Sequence, residues 1–261
     1  MAQQNKNNCI MIPKIIHYVW LGGGKKSPSV KRCIESWRKA MPDYEIQEWN
    51  ETNFDLNSIP WTKEAVSIGK WSLASDYIRH YAVYKYGGIY MDTDVMTYKS
   101  FDEFLKYDFF TSVEFHPEGF DQHRDIDDEG LPKDGKKYVD GLGLLAACFG
   151  AVPGHPFIKE CMDYFGSRHY IHPDGTLEED LINPGVMALL LTKYGFRFFD
   201  KTQYLDNNMT VFKSNVLAGD PLTRDVDSYA MHFMDKSWVK KNWKWQLKSY
   251  LLSHFPSIFR R

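Results

Sequence analysis

Within residues 69–94 a helix, a two-glycine stop, a short apolar strand and two aspartates follow one another, and few folds accommodate that order. The stretch reads GKWSLASDYIRHYAVYKYGGIYMDTD. Apolar residues recur at helical spacing through Leu73, Ile78, Tyr81 and Ala82, which predicts a helix over 71–86. Gly87 and Gly88 end it, because glycine takes the positive φ that a helix C-terminal cap needs. Ile89, Tyr90 and Met91 form an apolar run suited to a buried strand. Asp92 and Asp94 leave that strand at its C-terminal end. Alternate residues of an extended chain share a face, so both carboxylates can point at one cation. Hard oxygen ligands suit Mg²⁺ or Mn²⁺, with phosphate oxygens completing the shell. An isolated pair of this kind also fits a solvated turn. Asp76 and Arg79, three apart on one face of the preceding helix, set a charged pair beside the strand end. That combination suits an anionic, hydroxyl-rich ligand.

The flanking chain reads as an α/β sheet. Residues 15–21 are a buried-strand pattern ending in glycines, followed by a helix over 29–40, the opening unit of a nucleotide-binding sheet. Neither GxGxxG nor the phosphate-loop lysine pattern is present, so no dinucleotide or P-loop site is assigned. Trp20 at the strand's end is either a core residue or a base-stacking one. Residues 44–49 alternate as a second strand, and 50–60 read as loop. A short helix over 101–106, capped by Ser100, precedes a strand over 109–114. Residues 144–152 read as a strand, 155–165 as a helix, and 183–194 as a helix with Pro184 in its first turn. Short strands are expected over 196–199, 210–213 and 229–233.

Two segments stand apart. Residues 116–141 lack periodicity and carry Asp125, Asp127, Asp128 and Glu129. Their D-x-D-D spelling invites a second metal site, but a mobile, solvated insertion is the favoured expectation because no strand positions those carboxylates. Residues 236–261 alternate Trp238, Trp243, Trp245, Tyr250 and Phe255 with lysines and arginines. This composition suits either a helix lying on a membrane surface or a docked C-terminal helix with a solvated basic face.

Charge and composition narrow the function classes. Thirty-four acidic against 32 basic residues leave no excess of positive charge for general nucleic-acid binding. A hydrophobic content of 43% supports a sizeable core, and one domain over 1–261 is expected. Cys9, Cys33, Cys148 and Cys161 have no CxxC spacing and are expected as reduced, partly buried thiols. No apolar run suits a signal peptide or approaches the roughly 20 residues of a membrane span, so a cytoplasmic protein is expected.

The joint order of IPKIIHYVWLGG, CIESWRKAMPDYEIQEWN, ASDYIRHYAVYKYGGIYMDTDV, GHPFI and MHFMDKSW resembles the DXD-containing glycosyltransferases of family 32. Those are capsule and lipopolysaccharide sugar transferases of bacteria and the initiating mannosyltransferases of yeast. The glucosyltransferase domain of large clostridial toxins is more distantly similar. The resemblance runs from Ile12 to Trp238. It implies a GT-A fold with a Rossmann-like mixed sheet, a nucleotide-sugar donor, a divalent metal (Mn²⁺, or Mg²⁺) and retention of anomeric configuration. Carried over residue by residue, it implies that Trp20 stacks on the uracil of a UDP-linked donor. Asp76 and Arg79 would contact the ribose and the sugar hydroxyls, and Tyr90 would line ribose and diphosphate. Asp92 would touch ribose and metal-bound water, and Asp94 would bind the metal. His232 would complete the metal site, with Asp235 as the alternative, because this chain departs from the usual H-H-W-x-x-S-W motif there. Ser237 and Trp238 would contact the diphosphate, and Asn183 the donor sugar. The expected acceptor is an oligosaccharide or lipid-linked saccharide in cell-surface polysaccharide assembly, at the inner membrane face. The chemistry of the residue types agrees, since a cation offsets the charge of a departing nucleoside diphosphate. That diphosphate would itself help deprotonate the acceptor. A covalent route needs a carboxylate beside the anomeric carbon, and the sequence singles none out. A metal-dependent phosphohydrolase and a non-catalytic carbohydrate-binding module are the alternatives; the first requires a second His and Asp cluster, and the second does not explain the aspartates.

Overall fold

The computed structural model of the chain describes residues 11–178 and 182–234. β1 (Ile15–Val19) leads into α1 (Pro28–Ala40), and β2 (Glu45–Trp49) returns beside β1. Ser27 caps α1 by accepting the Val30 amide through its hydroxyl, and Pro28 occupies a first-turn position whose N–H has no helical partner anyway. Then come α2 (Pro60–Ser67), α3 (Trp71–Tyr86), β3 (Gly88–Met91), β4 (Val95–Thr97) and β5 (Phe109–Phe115). The second half holds α4 (Gln122–Asp125), β6 (Leu142–Leu144), β7 (Cys148–Ala151), α5 (Pro156–Gly166) and α6 (Asn183–Leu191). β8 (Gln203–Leu205), β9 (Met209–Phe212) and β10 (Ala230–His232) complete it.

The main sheet runs β2-β1-β3-β7-β5-β9-β8, with β6 paired to β5 off that path. β1 is parallel to β2 and β3, and β5 is parallel to β9; β7 runs antiparallel to both β3 and β5. Successive residues of the central strands feed opposite cores. Tyr90, Phe109 and Phe149 join Phe157, Met187 and Leu191 on one face. Ile89, Met91 and Phe110 join Ile34 and Trp37 of α1 on the other. Both faces are therefore covered by helices, in agreement with the mixed α/β architecture that the resemblance implies. None of the described helices is long and apolar enough to cross a membrane. Cys33, Cys148 and Cys161 are free thiols and fully rather than partly buried.

The two glycines after α3 set where β3 begins. Gly87 has φ +64° and its amide donates to the Val83 carbonyl, closing the helix. Gly88 has φ +96°, and a Cβ there would lie 2.6 Å from the Ile15 carbonyl oxygen. His17 locks the same turn. The Trp49 indole donates to its Nδ1 at 3.2 Å, so its Nε2 carries the proton that binds the Gly87 carbonyl at 2.8 Å. Burial keeps this imidazole neutral, lowered to about 4.

Several expectations from the sequence need correction. Of residues 144–152 only 148–151 form β7, and Leu144 is the last residue of β6; between them Ala146 and Ala147 form part of the wall of the cavity described below. Residues 196–199 form no strand; Phe196 and Phe198 are buried as irregular chain, and Phe198 donates its amide to Gly130. The helix over 101–106 is only a 3-10 turn at Asp102–Phe104, and the helix over 183–194 gives way to another at Thr192–Tyr194. α2, β4 and β8 were not expected; the two strands are three residues each, too short for periodicity to reveal. Within 116–141, Asp125 pairs with Arg124 at 2.7 Å, and Asp127 accepts the Glu129 and Leu131 amides. These carboxylates close local turns rather than gather around one point, and Ile126 and Val139 of the same stretch are buried in the core. The tail over 236–261 lies outside the described residues.

Gly88→Ala is expected to lower the unfolding free energy by about 2 kcal/mol or more, since it adds a positive-φ penalty to a backbone clash. Urea denaturation measures it, with exposed Gly154→Ala, which has open space at its Cβ, as the comparison.

Candidate active site

The C-terminal ends of β1 and β3 open into a cavity of about 490 Å³. Its walls include Trp20 and Leu21 after β1, Trp71, Asp76 and Arg79 from α3, and Asp92 and Asp94 after β3. Glu114 of β5, Asn183 of α6, and His232 with Met234 complete it.

Asp92 and Asp94 flank a turn in which the Val95 amide donates to the Asp92 carbonyl at 3.0 Å, while the Asp92 amide is held by Ala147. β4 then pairs antiparallel with β10, setting His232 opposite Val95. This two-stranded ribbon is what brings His232 to the aspartates. Its Nε2 lies 3.3 Å from Asp94 Oδ1, and one ligand atom each from Asp92, Asp94 and His232 fall within 4.8 Å of one another. Burial alone would lower the His232 pKa, but Asp94, and then Asp92, override it and raise it to about 9. A proton thus balances the surplus negative charge. The Nδ1 of His232 is buried with no partner among the described residues. Two carboxylates and an imidazole, short of positive charge, fit a divalent cation such as Mn²⁺ or Mg²⁺.

Behind this cluster lies a buried network. Arg79, 6% exposed, donates to the Ala146 carbonyl at 2.8 Å and to the Ser75 hydroxyl at 3.0 Å. It pairs with Asp76 at 3.1 Å and Asp92 at 3.6 Å, and its guanidinium lies 4.7 Å over the Tyr90 ring. Tyr90 is buried and donates its hydroxyl to Asp92 at 2.6 Å. Burial raises the Asp92 pKa against the pull of Arg79, and Asp94 adds to the rise. Burial likewise lifts Asp76 to about 6 against the same guanidinium. Asn183, at the start of α6, donates its amide to Asp76 at 3.1 Å. Its carbonyl oxygen accepts from His80 Nε2 at 3.0 Å, so His80 carries its proton on Nε2. Burial holds His80 neutral, lowered to about 3.

The structure therefore gathers Trp20, Asp76, Arg79, Tyr90, Asp92, Asp94, Asn183 and His232 around one cavity. Tyr90 is placed to hold Asp92, Arg79 to hold both Asp76 and Asp92, and Asn183 to hold Asp76. Trp20 donates its indole N–H to the Gly24 carbonyl at 2.7 Å, and Lys26 sits 5.3 Å over its ring. Asp235, Lys236, Ser237 and Trp238 lie outside the described residues. Sequence reasoning missed His80 and Glu114. His80 follows Arg79 on the predicted helix, but its partner Asn183 is remote in sequence. The only sequence signal for Glu114 is a carboxylate near the end of a predicted strand.

Residues 27–111 match the family described as glycosyltransferase sugar-binding region containing DXD motif. Over 108 residues the chain is 32% identical to inositol phosphoceramide mannosyltransferase 3 of Schizosaccharomyces pombe, covering 39% of this chain and 29% of that protein. Over 160 residues it is 27% identical to inositol phosphoceramide mannosyltransferase 2 of the same yeast, covering 57% and 37%. The chain thus matches only about a third of the length of these relatives. Among solved structures, it is similar to PaToxG glycosyltransferase, with a TM-score of 0.46 and 17% identity over 70% of each chain. It is also similar to the galactosyltransferase LgtC in complex with donor and acceptor sugar analogues, with a TM-score of 0.43 and 13% identity over 92% and 95%.

Asn183→Ala strips His80 Nε2 of its acceptor and Asp76 of a donor in a buried site. The expected loss is about 1–3 kcal/mol of unfolding free energy in chemical denaturation. Tyr204→Ala, at a position 76% exposed, is expected to stay within about 0.5 kcal/mol.

Proposed function

We propose, from the premise that residues 27–111 belong to the DXD-containing glycosyltransferase sugar-binding family, that this protein transfers a hexose from a nucleotide-sugar donor to a saccharide hydroxyl. The observation that carries the reading is the convergence of Asp92, Asp94 and His232 in the same cavity as Trp20, Asp76 and Arg79. Asp92, Asp94 and His232 would hold a divalent cation, Mn²⁺ being our choice, which when bound offsets the charge developing on the departing diphosphate. Arg79 and Tyr90 fix the Asp92 carboxylate, so the ligand set is preorganised. Trp20 on the cavity wall offers a ring for a nucleobase, and the family resemblance implies that this base is the uracil of a UDP-linked donor. Asp76 and Asn183 stand on the wall where the transferred sugar's hydroxyls would lie. We read the reaction as retaining, the acceptor attacking from the face that the diphosphate leaves.

The acceptor is proposed to be a lipid-linked saccharide used in cell-surface polysaccharide assembly, and the place of action the cytoplasmic membrane face. The names of the two yeast relatives, which transfer mannose to a lipid of inositol phosphoceramide type, support a hydroxyl-rich, lipid-borne acceptor. The basic, aromatic composition of residues 236–261 supports a peripheral membrane contact. A phosphohydrolase reading would draw on the second grouping, His116, Glu118 and Asp220. None of those three lines the cavity, and both nitrogens of His116 are engaged by carboxylates.

Asp94→Ala is expected to abolish Mn²⁺-dependent turnover of sugar nucleotides, measured as release of nucleoside diphosphate across a donor panel; undiminished turnover would refute the assignment. In liposome flotation with anionic vesicles, the full chain is expected to float and a chain ending at Trp238 to remain below. Equal flotation of the two would remove the membrane role.

A further inference from the structure

We infer that Glu114 accepts the proton of the attacking hydroxyl, and that His116 and Asp220 are positioning residues that hold its carboxylate in the cavity. This rests on the transferase reading above.

The sequence left open which carboxylate, if any, stands beside the reacting centre. Among the described residues the cavity is lined by four acidic side chains, Asp76, Asp92, Asp94 and Glu114. Asp92 and Asp94 belong to the cation cluster, and Asp76 is bound by Arg79 and Asn183. Glu114 is different. It lies outside the cation cluster, and its Oε1 accepts from His116 Nε2 at 3.1 Å. No other hydrogen bond reaches it from the described residues, so Oε2 stays available to a substrate. The Ala218 carbonyl accepts the His232 amide at 2.9 Å, and a Cβ on the neighbouring Gly219 would lie 3.1 Å from Glu114 Cγ, which places Glu114 on the cation side of the cavity. A hydroxyl attacking from the face that the diphosphate leaves must arrive on that side.

The support behind Glu114 is built. His116 Nδ1 lies 2.7 Å from Asp220 Oδ2, and Asp220, 4% exposed, accepts the Leu222 amide through its other oxygen. With carboxylates on both nitrogens, the hydrogen bonds from His116 to Asp220 and then Glu114 raise its pKa to about 10. An imidazolium therefore clamps one oxygen of Glu114 and leaves the other free. Gly219 makes room: a Cβ there would lie 3.1 Å from Glu114 Cγ and 3.1 Å from Leu145 Cδ1. A metal clip at His116, Glu118 and Asp220 does not compete, because both ring nitrogens already act as donors.

In the step, the hydroxyl O–H bond breaks and its proton passes to Glu114 Oε2, in place of the departing diphosphate that the family resemblance implied as its acceptor. The hydroxyl oxygen bonds to the anomeric carbon, and the bond from that carbon to the diphosphate breaks with its electron pair on the diphosphate. General-base assistance of this kind contributes on the order of 10²–10⁴-fold.

Water can stand in for the acceptor, so the test needs no acceptor identified. Hydrolysis of the sugar nucleotide that the wild type consumes best is measured with Mn²⁺ for wild type, Glu114→Gln, His116→Ala and His116→Gln. Glu114→Gln is expected to lose about 100-fold or more in kcat. Its donor KM and its Mn²⁺ activation should stay within about twofold of wild type, because Glu114 touches neither. His116→Ala should show the same split, and His116→Gln, whose amide can still donate to Glu114, should recover part of the rate. A Glu114→Gln kcat within about twofold of wild type would overturn the role, and so would a parallel rise in donor KM, which marks a donor-binding group. Equal rates in wild type and His116→Ala would overturn the positioning role. Wild type that hydrolyses no sugar nucleotide would instead strike the transferase reading, and this inference with it.

Discussion

A buried guanidinium organises this structure. Arg79 sits in the third turn of α3 with almost no access to water, and an unpaired charge there would be prohibitive. Its donors reach the Ala146 carbonyl and the Ser75 hydroxyl, its charge faces Asp76 and Asp92, and its plane lies over Tyr90. Each partner belongs to a different part of the site: the helix itself, the strand end, and the segment between β6 and β7. Satisfying one cation therefore fixes the relative placement of three elements. It holds Asp92 beside Asp94 although burial and mutual repulsion both oppose two ionised carboxylates.

From that centre, tension in charge runs outward in two directions. Toward the cavity, Asp92 and Asp94 accumulate more negative charge than Arg79 balances, and His232 answers it with a proton. A site arranged this way is prepared for a divalent cation. Along the α3 wall of the same cavity, Asp76 is stabilised by Asn183 and through it by neutral His80. On the cation side of the cavity, Glu114, His116 and Asp220 make a separate chain of alternating charge. The two chains leave one wall fixed around the donor side and the other presenting a carboxylate with a free oxygen.

Much of the local structure was legible because it rests on short-range rules. The spacing of Leu73, Ile78 and Ala82 gives α3, and the paired glycines give its end, where φ is +64° and +96°. The strand that follows delivers Asp92 and Asp94, and the three-residue spacing of Asp76 and Arg79 places them together on one helix. What escaped was short or irregular. β4 has three residues and β8 also three, so neither carries a periodic signal. The strand expected over 144–152 is broken because its middle turns aside to give Arg79 a carbonyl, a reason no local pattern contains.

The sequence by itself determined that a helix, a glycine turn and a strand would present two carboxylates beside a charged pair, since each step depends on residues within a few positions of one another. Tertiary structure alone decided what completes the site. His232 reaches Asp94 only because the β4–β10 ribbon forms, Asn183 meets Asp76 only because α6 packs on β6 and α5, and Glu114 faces the cavity only because β5 lies where β7 and β9 put it. Those contacts join residues far apart in the chain, and packing, not local propensity, sets their geometry.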